Sequence, residues 1–538
     1  MRIAFVSTRK NADSSERELY EMQWLLRQLG LKRAFVDLGL LTVAGCTPKD
    51  VETVVIDEYA SEIDFDMDCD LVALSAKTSC VTRAYAVADE FRRRGKRVVL
   101  GGIHASLRPD EALEHVDCIV TGEADALWPT VVEDAKNGRL KERYDVKDFP
   151  PMDAIPAPAW GRMDHGLHLM HQVQTTRGCP FRCRFCSVPD ISGQSFRFKP
   201  VARVIAELRA LPTSRHLTAR KRHLYIVDDN FLSRLSYTKE LLRAMVPLYQ
   251  SGVVPPWSAE TTLNVAQDDE LLDLFRDAGC TTLIVGFESV SEATLADMDK
   301  PINFCLTFPE AVERIHARGI HLVGNFIVGF DTDNLAVFGT TLQFIQQTGI
   351  LFPFFSILNP MPGTALFEDF RASGRLNHQD WSRYDTRHVV MAPRQMTEAQ
   401  LQDGYIWLYE QAYKSDRMLE RMERNWRRQP VDRGGRGIAE KLFLGSRLSL
   451  EATRADTATR GLYAESMRLL LNRHLHGNIG NALTLLDATD FATFMGRYKS
   501  VDYAQHARLF GGNTDLDDPQ WKNARARSRT ERRASAVL

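Results

Sequence analysis

No stretch of the 538 residues approaches eighteen uninterrupted apolar residues, so the sequence offers no candidate membrane-spanning helix. The amino terminus, MRIAFVSTRKNADSSERELY, turns charged too early for a secretory core, which predicts a cytoplasmic chain. Charge of one sign is lacking too. With 68 Lys and Arg against 70 Asp and Glu, the formal net charge is -2, and no nucleic-acid partner is expected. Cysteine is sparse: nine residues at irregular spacings exclude a secreted disulfide framework. Six of them (Cys46, Cys69, Cys80, Cys118, Cys280, Cys305) stand singly, several inside apolar runs, as small buried hydrophobes do.

What the sequence does have is alternation. Its length exceeds one core at roughly 150 residues per domain, and it predicts an α/β protein of several units. Over 1–145, the short runs RIAFVST, ETVVIDEY, LVALSA, KRVVLGG and CIVTGE alternate with helical stretches such as VTRAYAVADEFRRRG, which predicts a Rossmann-like parallel sheet. In such a sheet, ligands sit at the carboxyl ends of the strands. The loops there carry Ser75 to Thr78, Gly101 to His104 and Gly122 to Asp125, and are expected to share one rim. Pro150, Pro151, Pro156 and Pro158 mark 146–165 as a linker. Over 166–380 six further strand–helix units (HQVQTTRG, RHLYIVDDN, PPWSAETT, TTLIVGFES, HLVGNFIVGF, PFFSILNP) predict an open, partial (β/α)6 barrel. Residues 381–515 read as helical. Thr397 to Gln400 form a capping box opening one long helix through Trp426, and a second helical stretch covers about 438–497. The basic segment 516–538 reads as a disordered tail.

The three remaining cysteines fall within eight residues, as Cys179-Pro180-Phe181-Arg182-Cys183-Arg184-Phe185-Cys186, directly after a predicted strand. A loop there can wrap three thiolates around one metal centre and leave a coordination position for substrate. Arg177, Arg182 and Arg184 are expected to offset the thiolate charge. The competing reading is a zinc knuckle with His171 as fourth ligand, but zinc sites usually pair two such units and no second one stands nearby.

C-x3-C-x2-C with an aromatic, Phe185, before the last cysteine resembles the radical S-adenosylmethionine superfamily, in the branch with a cobalamin-binding domain that contains the hopanoid methylases. The resemblance implies that Cys179, Cys183 and Cys186 ligate a 4Fe-4S cluster whose fourth iron is chelated by S-adenosyl-L-methionine. It implies that Phe185 borders the cofactor, that Asp228, Asp229 and Asn230 hold its amino group, Glu260, Glu288 and Ser289 its methionine or ribose, and Asn325 and Gly329 its adenine. For the first sheet it implies a cobalamin site around Ser75, Thr78, Gly101, Gly102, His104, Gly122 and Glu123, although the usual D-x-H-x-x-G cobalt-ligand motif is absent. The function so implied is a methyltransferase acting on an unactivated carbon of a small molecule or lipid, with an electron donor such as flavodoxin or ferredoxin as partner. Two rivals are a radical cyclase or carbon–carbon bond-forming enzyme without methylcobalamin, and a non-catalytic cobalamin or redox sensor. Trp381, Tyr384, Tyr405, Trp407 and Tyr409 are expected to serve as core or to line an apolar pocket.

Overall fold

The computed structural model describes residues 1–10, 26–27, 31–146, 148–163, 165–211, 223–300, 307–426, 460, 491–492 and 494–511. Cys305, most of the stretch 438–497 and the tail 516–538 lie outside the described residues.

The first sheet is built from β1 (Arg2–Ser7), β2 (Glu52–Asp57), β3 (Leu71–Ser75), β4 (Arg97–Gly101), β5 (Cys118–Thr121) and β6 (Arg143–Asp145). All pair in parallel, in the order β2-β1-β3-β4-β5-β6. Their apolar runs are continuous because both faces are covered. In β1, Ala4 and Val6 enter a core shared with the Val81–Arg93 helix, and Ile3 and Phe5 one shared with the Leu38–Gly45 and Trp128–Lys136 helices. The order reverses between β1 and β3, the position where doubly wound sheets open a crevice. The sixth strand was not anticipated: it is three residues long with a single buried side chain, Tyr144, too short to show a period.

The proline-rich segment is less of a free linker than its composition suggests. Met152 and Ile155 are buried, and Ala159 N donates to Leu41 O at 3.0 Å. After it come β7 (Met170–Val173), the short ribbon strands β8 (Thr176–Arg177) and β9 (Arg197–Phe198), then β10 (His223–Ile226), β11 (Trp257–Thr261), β12 (Cys280–Glu288), β13 (His321–Val328) and β14 (Phe352–Ile357). The second sheet runs β14-β13-β12-β11-β10-β7, parallel throughout, with β7 and β14 as its edges. This is the expected open arrangement of six strands in sequence order. Alternate residues pack outward on helices, whereas Tyr225, Glu260, Ile284, Gly286, Asn325 and Ile327 stay half-exposed on the concave side.

Beyond the sheet, the capping box is present: Thr397 Oγ1 accepts from Gln400 N and Gln400 Oε1 from Thr397 N. The long helix expected to follow is two helices, Glu398–Ala412 and Ser415–Trp426. The chain turns at Tyr413, whose hydroxyl donates to Pro353 O at 3.0 Å. Gly404 on the first of these lies flat against the Phe338 ring. A Gly404→Ala change gains up to about 1 kcal/mol of helix propensity but drives a methyl into that ring, an overpacking that costs about 1–3 kcal/mol. Net destabilisation is expected in chemical unfolding. No helix among the described residues is long and apolar enough to cross a membrane.

Candidate active site

The cysteine loop leaves β8 through Gly178, at φ +83°. A Cβ there would stand 2.8 Å from Ser192 O and closer still to Ser195 O, so only glycine lets the loop close on its return limb. Cys179 N then donates to Gly193 O at 3.2 Å, and Cys186 N to Cys183 O at 3.0 Å. All three thiols are half-buried, backed by Phe185 against the core. Burial pushes each thiol up, Cys186 to about 12; neighbouring thiols and Asp229 add to this at Cys179 and Cys186, and Glu288 and Asp299 at Cys183. Such thiols ionise readily only when a cationic metal centre binds them. Among the described residues no three His, Cys, Asp or Glu side chains converge on one point as a single ion requires, so the zinc alternative with His171 has no cage. Three soft donors on a half-buried loop suit a larger iron–sulfur group.

The flanking arginines do not serve as expected. Arg182 donates to Gln194, Arg184 to Asp369 at 2.6 Å, and Arg177 is bonded to Glu123 and Asp125. The cation whose field lowers Cys179 and Cys183 is Lys300, which sequence reasoning missed. Nothing local signals it, since it lies more than a hundred residues downstream.

The strand ends of the second sheet bring the expected acidic residues to one mouth. Asp228 is buried, and its carboxylate is fully engaged: it accepts from Thr175 N at 2.6 Å, Thr176 N at 3.0 Å and the Thr175 hydroxyl. It fastens the end of β10 to the chain entering the cysteine loop. Asp229 stands exposed at the mouth. The protein closing around it and the charges of Asp228, Glu260 and Glu123 push it up to about 7, against a hydrogen bond from Gly178 N. Asn230 closes a turn by accepting from Leu232 N. Glu260 accepts from the Tyr225 hydroxyl at 2.5 Å, and burial raises its pKa. Glu288, buried and paired with Lys300, sits at φ +58° where β12 bulges against β13. A left-handed backbone at a side chain of this size is costly, and such positions cluster at functional sites. Ser289 Oγ accepts from Ser291 N. Asn325 Oδ1 is buried with no hydrogen-bond partner. Gly329, at φ +104°, answers to packing: a Cβ would stand 2.8 Å from Leu401 and 3.1 Å from Met391.

The first sheet's loops do form one rim. Ala76 N donates to Gly101 O, His104 N to Ala76 O, and Gly122 N to Ser106 Oγ. Ser75 is hydrogen-bonded to Asp37 and leaves 3.1 Å for a Cβ at Gly102, whose φ is +93°. Two residues expected to face cobalamin are otherwise employed. His104 is fully buried, its ring nitrogens 3.3 Å from Thr78 Oγ1 and 3.4 Å from Glu111, with its ring against Trp381, so that it packs the loop. Glu123 is buried between Arg177 and Arg197.

The loops after β3 and β4 and the end of β14 border one cleft of ≈ 280 Å³. Lys77, Thr78, Ile103 and Leu107 line it from the first sheet; Ser187, Phe355, Ser356 and Met361 line it from the second. Tyr384, Tyr405 and Tyr409 are both core and wall, buried yet lining the cleft, whereas Trp407 packs on Phe510 and Trp381 on His104. At the cleft edge Asp385 is clasped by Lys10 at 2.7 Å, Arg387 at 2.9 Å and His388 at 2.9 Å. Burial opposes its charge, but these partners outweigh it and hold the carboxyl well below its usual range. A depressed folded pKa stabilises the fold above the ordinary carboxylate pKa of about 3.9, and that contribution is lost as pH falls toward the folded value. Urea midpoints are therefore expected to drop below about pH 4, with a smaller pH-dependent drop in Asp385→Asn.

Residues 173–345, which span β10 to β13 and the cysteine loop, match the model of the radical SAM superfamily. The chain is 34% identical over 366 residues to bacteriochlorophyllide d C-8(2)-methyltransferase of Chlorobaculum tepidum, covering 66% of this chain and 80% of that protein. The chain belongs to the radical S-adenosylmethionine superfamily. It is thus an enzyme of a superfamily that works with S-adenosylmethionine and a 4Fe-4S cluster. Hopanoid C-2 methylase of Rhodopseudomonas palustris is 28% identical over 331 residues, 61% of each chain. Among solved structures, the cobalamin-dependent S-adenosylmethionine radical enzyme OxsB, with aqua-cobalamin and S-adenosylmethionine bound, superposes with a TM-score of 0.58 at 14% identity, covering 98% of this chain and 84% of that one. The methyltransferase TsrM of Kitasatospora setae gives 0.53 at 17% identity, over 69% and 76%. These two likenesses establish the fold.

Proposed function

We propose that this protein is a cobalamin-dependent radical methyltransferase acting on an unactivated carbon of an apolar small molecule, such as a lipid or natural-product intermediate. The observation that carries this reading is the cleft walled on one side by the loops after β3 and β4 of the first sheet and on the other by the end of β14 and by Ser187, the residue that follows the last cysteine of the loop. The similar methyltransferase and methylase named above support methyl transfer. The tyrosines and Phe355, Met361, Ile103 and Leu107 make the lining suited to an apolar substrate.

Cys179, Cys183 and Cys186 would hold the cluster. S-adenosylmethionine carries an ammonium and a sulfonium, and the clustered carboxyls of Asp229 and Glu260, which the enclosing protein and neighbouring carboxylates hold toward their neutral forms, gain their charge when a cation enters beside them. Tyr225 keeps Glu260 aimed at the concave side, and the unpartnered Asn325 oxygen supplies an acceptor for an amino group. Cobalamin would lie against the glycine-rich rim, with Gly101, Gly102 and Gly122 lowering the backbone beneath it. When bound, the cluster and S-adenosylmethionine supply reductive cleavage and hydrogen abstraction, and cobalamin supplies the methyl group. The chain's own work is to align the two sites and keep water from the cleft with aromatic walls. Electrons would come from a flavodoxin or ferredoxin.

Anaerobic reconstitution with iron, sulfide and cobalamin tests this without knowledge of the substrate. Label from the S-methyl group of S-adenosylmethionine is expected on reduced cobalamin, and 5′-deoxyadenosine is expected on reduction of the cluster. Protein that forms deoxyadenosine but retains no cobalamin would overturn methyl transfer and favour a radical cyclase.

A further inference from the structure

The ribbon that carries the cysteines has an unusual electrostatic construction. Its strands β8 and β9 are antiparallel, with Arg177 directly opposite Arg197. Like charges paired across two strands are destabilising, and this pair is largely buried. Both counter-charges come from the first sheet, on the loop after β5. Glu123 bridges the two guanidinium groups, with Arg177 Nη1 at 3.0 Å from its Oε2, Arg197 Nη1 also at 3.0 Å, and a second contact from Arg197 Nη2 to its Oε1. Asp125 takes Arg177 at 2.6 Å. Arg197 further donates to Ser192 O at 3.0 Å and Pro150 O at 2.8 Å. Ser192 and Gly193 form the limb on which the cysteine loop closes.

We infer that Glu123 is a positioning residue for the cysteine loop: by pinning Arg177 and Arg197 together it fixes where the three thiols stand, so the geometry of the second sheet's metal site is set from the first sheet. Gly122 N is bonded to Ser106 Oγ, on the helix that follows Gly101-Gly102, which ties the bridge to the same rim. This inference rests on the assignment of the cluster to Cys179, Cys183 and Cys186.

The test uses the full-length, anaerobically reconstituted protein and the isosteric change Glu123→Gln, which keeps the shape but withdraws the charge between two arginines. The variant is expected to show an altered electron paramagnetic resonance line shape for the reduced cluster. Formation of 5′-deoxyadenosine should fall about tenfold or more, because sub-ångström misplacement of reacting groups carries penalties of this order. Glu123→Asp, which keeps the charge, is expected to restore part of both. Arg197→Lys, which keeps a cation but loses the fork, should show an intermediate loss and serves if the glutamine variant does not fold. A wild-type line shape and rate in Glu123→Gln, or in Arg197→Lys should that variant stand in, would overturn the inference, as would a defect that aspartate leaves untouched. Wild-type protein that holds no iron would instead overturn the cluster assignment itself.

Discussion

Exchanging Cys183 for alanine is expected to abolish reductive cleavage of S-adenosylmethionine, taking 5′-deoxyadenosine to background, while the protein still folds. The thiol is half-buried on an irregular loop and outside the apolar cores of both sheets, so trimming it removes little packing. Iron binding, by contrast, needs all three sulfurs, because a cluster that keeps one iron open for S-adenosylmethionine has only three protein ligands to hold it. The same outcome is expected for Cys179→Ala and Cys186→Ala, read as iron content per chain and the visible absorption of the reconstituted cluster. Full iron content in any one of the three variants would refute the assignment.

The second large effect is expected at Asp228. Asp228→Ala strips the acceptor from Thr175 N, Thr176 N and the Thr175 hydroxyl, all of them buried. Removing one partner from such a buried charged network costs roughly 3–5 kcal/mol. Asparagine does not rescue it, since its amide nitrogen would face one of three donors where an acceptor is required. Both variants are expected to lower the unfolding midpoint and to lose iron in parallel, because the segment that Asp228 holds is the one entering the cysteine loop. An unchanged midpoint in Asp228→Ala would show that the clamp is not formed in solution.

The first sheet was largely legible from sequence because its strands are short runs rich in Val, Ile and Leu, and the second because apolar residues mark each strand even where Glu260 or Asn325 interrupts them. The cysteine triad was legible because its members fall within eight residues of one another. The mouth residues could be placed because each follows a strand whose end is marked by charge, as in Val227-Asp228-Asp229 or Phe287-Glu288. What could not be read was the choice of partner. That Glu123 answers Arg177 and Arg197, that His104 faces Glu111 and Trp381, and that Lys300 faces the thiols are contacts through space between residues 7 to 270 or more positions apart, and no local period encodes them. Gly329 shows the same limit: the sequence demanded a close approach there, but did not show that Leu401 and Met391 are side chains that make it. The break at Tyr413 escaped notice because the helical pattern runs through it and only the tertiary bond to Pro353 reveals the turn.

Lys10 and Asp385 meet across 375 positions of chain. During synthesis at about 5–20 residues per second, the lysine's segment would leave the ribosome some 20–75 s before its carboxylate does. β1 can take its place between β2 and β3 long before that, so a nascent chain stalled ahead of Asp385 should resist protease at its first sheet yet leave the Lys10 ammonium open to amine-directed labelling.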